Sequence, residues 1–133
     1  MPVIVDHAHL IVTDILGTVA WFKENFGARE KYLGQDMVSF DGTDQYYLDL
    51  GNTGLFIRGR TDDEQLTPDP GNRYGINHIS LRVPDVYECL EMLRAKGNRV
   101  LLEPDVIDEN QVYAFVEGPD HIRVELIHRK QLQ

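Results

Sequence analysis

Two histidines, His7 and His9, sit two residues apart in the stretch "DHAHLIVTD", whose remaining residues read as a buried strand. Seventy-one residues later "NHISLRVPD" repeats the frame, with His78, Leu81, Val83 and Asp85 in the places of His7, Leu10, Val12 and Asp14. Imidazole is a common metal ligand and, near neutral pH, a proton carrier. Glu125, in "IRVELIHR", adds a carboxylate on a strand close to the end of the chain. Two imidazoles and one carboxylate on stiff strands form the 2-His-1-carboxylate set that holds Fe(II) and also suits Mn(II), Zn(II) or Ni(II). Three protein ligands leave positions open for substrate, water or O₂, as a catalytic metal requires. A lone strand histidine is more often a hydrogen-bonded structural residue, and a glutamate on a last strand is usually solvated. The matched offset favours the metal, because solvated histidines have no reason to keep repeat symmetry.

The repeat extends to the elements that must position these groups. Helical spacing puts Ile15, Val19, Phe22 and Phe26 on one stripe of "DILGTVAWFKENFG", and Val86, Leu90 and Leu93 on one stripe of "DVYECLEMLRAKG". Asp14 and Asp85 are placed as N-caps, Glu88 completes a capping box, and Gly27 and Gly97 stand where the helices stop. Strand-like segments follow each helix: "AREKYL", "QYYLDL" and "GLFIRGR", with "MVSF" as a possible extension, then "RVLLEP", "VYAFVE" and "IRVELIHR". The predicted fold is α+β: two βαβββ repeats forming a curled mixed sheet, a cup, with helices on the outside. One domain spans 1–133, with repeat 1 at about 3–60, an acidic Pro/Gly-rich linker at about 61–73, and repeat 2 at about 74–129. Strand alternation sends Leu10, Val12, Leu81, Val83, Val124 and Leu126 towards the helices and leaves His, Arg and Glu on the other face. That polar face reads as a site rather than a core.

Composition limits the partners. The 133 residues carry 13 basic and 22 acidic groups, a net charge of −9, which disfavours nucleic acid and anionic membranes. No run approaches the roughly 20 apolar residues of a membrane span, and "MPVIVDHAHL" lacks the pattern of a signal peptide. The single cysteine, Cys89, makes a reducing cytoplasm the default compartment.

In the register of "DHAHLIVTDILGTVAWFKENFG", "INHISLRVPDVYECLEMLRAKG" and "YAFVEGPDHIRVEL", the chain resembles the vicinal oxygen chelate superfamily. This is the family of glyoxalase I, bleomycin resistance proteins and extradiol dioxygenases. The resemblance implies that His7, His78 and Glu125 are metal ligands. It also exposes departures. Gly118 stands where an Asp is usual and His121 where a turn Gly is usual. Phe56 occupies the position at which glyoxalases and the family's methylmalonyl-CoA epimerase carry Glu or Gln, which weakens proton shuttling by a carboxylate. Phe115 and Val106 replace the Tyr and His of extradiol dioxygenases, with Tyr113 as the candidate substitute. The acidic "EPDVIDENQ" stands where fosfomycin transferases use a lysine- and serine-containing loop, and argues against a phosphonate.

The expectation is an enzyme whose small substrate binds a divalent ion through adjacent oxygens, leaning to extradiol-type dioxygenase chemistry with Fe(II). The alternatives are a glyoxalase- or epimerase-like lyase or isomerase, and a metal-free binding or antibiotic-resistance protein using Tyr47, Phe56, Tyr113 and Phe115. His9 and Tyr113 are the catalytic candidates. Phe56, Arg58, Phe115, His121 and Arg123 are the substrate-binding candidates, the arginines for a substrate carboxylate. A homodimer is the expected assembly.

Overall fold

A computed structural model describes residues 1–30, 38–40, 43–67 and 74–130. The chain divides into two compact units, Met1–Thr67 and Pro68–Gln133. Unit 1 runs β1 (His7–Ile11), α1 (Ile15–Phe26), β2 (Arg29–Glu30), β3 (Val38–Phe40), β4 (Thr43–Asp49) and β5 (Gly54–Arg58). Unit 2 runs β6 (Ile79–Arg82), α2 (Val86–Ala95), β7 (Val100–Asp108), β8 (Gln111–Glu117) and β9 (Arg123–Arg129). The sheet orders match: β1-β5-β4-β2 in unit 1, with β3 paired to β4, and β6-β9-β8-β7 in unit 2. The first strand of each unit lies parallel to its last, and the other pairs are antiparallel. Each unit is therefore a mixed sheet with one helix, the α+β repeat that the sequence predicts.

The helices start and stop for the expected reasons. Asp14 accepts from the Gly17 amide at 2.9 Å and Asp85 from the Glu88 amide at 3.2 Å. Gly27 ends α1 in the left-handed region at φ 66°, a conformation that costs glycine least. Gly97, just past α2, takes φ 89°. Thr18, Val19 and Phe22 are buried on α1, and Val86, Leu90 and Leu93 on α2. Beneath them lie Leu48, Leu55 and Ile57 in unit 1, and Ala114, Val116, Val124 and Leu126 in unit 2.

Alternation holds where the site depends on it. Val124 and Leu126 are fully buried, while Arg123 and Glu125 remain half-buried on the opposite face. In β1, His7, His9 and Ile11 are exposed and Ala8 and Leu10 are not. Ile127 is buried although it shares the parity of Glu125.

Two strand expectations change, and one lies largely outside the described residues. The "AREKYL" strand is described only as the two-residue β2, since 31–37 lie outside the described residues. "MVSF" is a strand of its own, β3, closing a hairpin with β4 through Phe40 and Thr43. β7 continues beyond "RVLLEP" to Asp108, with register shifts against β8 that absorb the extra length. The latter half of the linker, 68–73, also lies outside the described residues. Among the described residues no helix is long and apolar enough to cross a membrane.

Two substitutions test this packing. Phe22 is fully buried, and Phe22→Ala should cost about 3–5 kcal/mol in urea unfolding; a loss below about 1 kcal/mol would mean that α1 does not pack as described. A Cβ at Gly54 would meet the Tyr47 ring 2.1 Å away. Gly54→Ala should therefore destabilise by about 1–3 kcal/mol, through displacement of that ring. Unchanged stability would show that the ring does not lie across β5.

Candidate metal centre

In unit 2, β9 and the residue just before β6 bring two of the expected ligands together. The parallel register sets Ser80 opposite Glu125, so His78, two residues earlier on the same face, is its diagonal neighbour. His78 Nε2 lies 3.5 Å from Glu125 Oε1. His78 Nδ1 is engaged at 2.8 Å by Asn77 Oδ1. A carbonyl oxygen only accepts, so Nδ1 donates, and in the neutral ring Nε2 carries the lone pair. A lone pair facing a carboxylate oxygen needs a proton or a cation between them. Two donors each about 2.1 Å from one ion at a tetrahedral angle are about 3.4 Å apart, so this pair fits two ligands of a single divalent ion.

Rings wall the pair. Phe115, opposite Glu125 in the β8–β9 register, sets its ring edge-to-face with His78, with centroids 4.9 Å apart. Tyr113 turns its hydroxyl to Asp105 Oδ2 at 3.3 Å. Desolvation, Asp105 and Glu125 all hold its phenol above the ordinary value. Arg123, expected to bind substrate, instead donates from Nε and Nη2 to the Asn77 carbonyl at 3.2 and 3.1 Å. His121 follows the turn after β8, and its Nδ1 contacts Glu117 Oε2 at 3.1 Å. Asp120 and His121 take φ 55° and 61°, the left-handed region where the family turn usually has Gly.

Unit 1 repeats the register with different chemistry. His9 stands opposite Phe56 in the β1–β5 pair, as Ser80 stands opposite Glu125. Phe56 thus occupies the position equivalent to Glu125, in keeping with the family position that the resemblance gives it. Its ring stacks on Tyr47 at 4.5 Å and takes the edge of His7 at 4.5 Å. His7 Nδ1 pairs with Asp6 Oδ2 at 2.7 Å. Burial, then the Arg58 and His7 charges, lower the His9 pKa below its ordinary value, against a smaller upward pull from Glu64. Arg58 does not present an open fork: its two terminal nitrogens reach Glu64 Oε1 and Oε2 at 2.6 and 2.7 Å. That bidentate bond, with the Thr61 amide, holds the Glu64 carboxyl well below the carboxylate range, at about 2.

The pattern reading missed Asp6, Asn77 and Glu64. The first two were visible as the acidic or amide residue preceding each repeated histidine. Glu64 carried no signal, since it sits among several acidic residues. Among the described residues no three His, Cys, Asp or Glu side chains gather closely enough to hold an ion; unit 2 brings together the His78–Glu125 pair, and His7 stands in unit 1 with Asp6. A separate hollow of unit 2, lined by Tyr87, Asp108, Glu109, His128 and Lys130, contains none of the expected site residues. His128 lies on the helix side of β9, where its Nδ1 accepts from the first amide of α2 at 2.9 Å.

Residues 4–126 match the model of the Glyoxalase/Bleomycin resistance protein/Dioxygenase superfamily. The chain is 40% identical over 98 residues to a lactoylglutathione lyase of Neisseria meningitidis, covering 73% of this chain and 66% of that protein. It is 43% identical over 60 residues to a probable lactoylglutathione lyase of Synechocystis, covering 44% of each. The match thus spans about half to two thirds of those relatives. In structure it is similar to a glyoxylase/bleomycin resistance protein/dioxygenase domain from Frankia, with TM-score 0.78 and 19% identity over 98% of this chain and all of that one. It is also similar to the FosX fosfomycin resistance protein of Listeria monocytogenes complexed with Mn(II) and sulfate. That match has TM-score 0.72 and 19% identity over 98% and 96% of the two chains.

Proposed function

Because this chain belongs to the Glyoxalase/Bleomycin resistance protein/Dioxygenase superfamily, we propose that it is a divalent-metal-dependent enzyme of the glyoxalase lyase and isomerase type. Its substrate is a small molecule with adjacent oxygens. The observation that carries this reading is the approach of His78 Nε2 to Glu125 Oε1, with the other nitrogen of the ring already satisfied. The family register adds His7 to the proposed donor set. The two relatives described above are lyases by name, which moves the reading away from the dioxygenase chemistry to which the sequence leans. The Tyr113 hydroxyl, turned to Asp105, adds nothing in favour of that chemistry.

A bound divalent ion supplies Lewis-acid polarisation of the substrate oxygens. The protein supplies the rest. Phe56 can neither ligate nor take a proton, so the proton that a carboxylate would move falls to the imidazole of His9, on the same strand face as His7. Phe56, stacked on Tyr47, sets an apolar ring beside His7, and Phe115 sets one beside His78. Arg58 and Arg123 are each tied to the protein's own acceptors, Arg58 to the Glu64 carboxylate and Arg123 to the Asn77 carbonyl, which supports a structural part for both. The active form is a homodimer.

Metal content of chelator-free protein, before and after reconstitution, tests this reading. The wild type should hold one divalent ion per chain, and His7→Ala and Glu125→Ala should each lose it. With nickel or zinc bound, a catechol panel should produce no oxygen uptake. A wild type that takes up no transition metal on reconstitution overturns the enzyme and leaves an aromatic-lined binder. Oxygen uptake by the iron-loaded protein would restore the dioxygenase.

A further inference from the structure

Each repeated histidine has the same partner in the same place. The residue just before it reaches Nδ1: Asp6 Oδ2 for His7 at 2.7 Å, and Asn77 Oδ1 for His78 at 2.8 Å. Adjacent residues on an extended backbone point to opposite sides, so such contacts do not follow from strand geometry alone. The backbone of each partner is itself held from the last strand of its unit. The Asp6 carbonyl accepts from the Gly54 amide at 3.2 Å and from Thr53 Oγ1 at 3.3 Å. The Asn77 carbonyl accepts from the Arg123 guanidinium at 3.2 and 3.1 Å. Gly54 and Arg123 are equivalent positions, each two residues before the paired Phe56 and Glu125. Two repeats with different side chains thus build the same support by different means.

We propose that Asp6 and Asn77 are positioning residues that keep the Nδ1–H tautomer of His7 and His78, so that Nε2 is the donor atom each histidine offers to a divalent ion. An acceptor at Nδ1 fixes the proton there, orients the ring and raises the donor strength of Nε2. The two supports differ in charge. Asp6 is a carboxylate and Asn77 an amide, so His7 is the more strongly polarised ligand of the two. Arg123 and Gly54 act one step further out, by holding the backbone of the supporting residue. The inference rests on the metal reading above for its consequence, but the tautomer it assigns is a property of the metal-free protein.

The test therefore has two readouts. Long-range proton–nitrogen NMR of the metal-free, ¹⁵N-histidine-labelled protein reports which ring nitrogen carries the proton. Calorimetric titration with Ni(II) alone reports affinity. Wild type should show His7 and His78 protonated at Nδ1. Asp6→Ala and Asn77→Ala should each shift their own histidine towards the Nε2–H tautomer and weaken Ni(II) binding on the order of 10-fold to 100-fold. Asp6→Asn, which keeps an acceptor, should retain the tautomer with a smaller loss of affinity, and so separates a positioning role from a disturbed fold. Unchanged tautomers in both alanine variants, or alanine variants that bind Ni(II) as the wild type does, would overturn the inference. A wild type with the assigned tautomers but no Ni(II) binding would overturn the enzyme reading and the metal-directed half of this inference, leaving only the tautomer assignment.

Discussion

The parallel pairing of the first and last strands within each unit is the constraint from which the rest follows. In unit 2 it sets Ser80 against Glu125 and Leu81 against Leu126, so apolar residues go under α2 and the carboxylate goes to the open face. A slip of one residue would exchange the two faces, burying Glu125 beneath the helix and turning Leu126 outward. The fully buried Val124 and Leu126 oppose such a slip, because their exposure would sacrifice about 1.5–3 kcal/mol each. The core thus specifies the register, and the register specifies that Glu125 is a diagonal neighbour of His78. The site is accurate because the packing behind it permits one alignment.

The same constraint in unit 1 carries different residues, and the contrast defines the chemistry. Where unit 2 has Ser80 and Glu125, unit 1 has His9 and Phe56. One repeat sets an imidazole against a carboxylate, the other an imidazole beside an aromatic stack. Gly54 belongs to this division, since only a residue without a Cβ leaves room for the Tyr47 ring over the start of β5.

Much of this was legible in the residues. Helix caps, apolar stripes and the 71-residue offset located both units, and alternation located the polar faces. The equivalence of Phe56 and Glu125 came from the family register, and the strand pairing agrees with it. What pattern reading could not supply was the partner of each long side chain. Arg58 looked free for a substrate carboxylate, but Glu64, six residues on, closes back upon it through a bend that no periodicity announces. Arg123 likewise gives two of its donors to a backbone carbonyl, an acceptor every residue carries. The supports Asp6 and Asn77 stand in plain sight before each repeated histidine, but neighbours in sequence are ordinarily assigned to opposite strand faces, so the pattern did not pair them. The extension of β7 was missed because Pro104 reads as a terminator, whereas β7 is an edge strand, where proline is tolerated.

The central claim is that one divalent ion draws on an imidazole from each repeat and a carboxylate from the second. X-ray absorption of the Ni(II)-loaded wild-type protein addresses it most directly, because imidazole rings leave a distinctive multiple-scattering signature. The account predicts a first shell of nitrogen and oxygen only, with two imidazoles. A single imidazole, or a sulfur at about 2.3 Å, would contradict it.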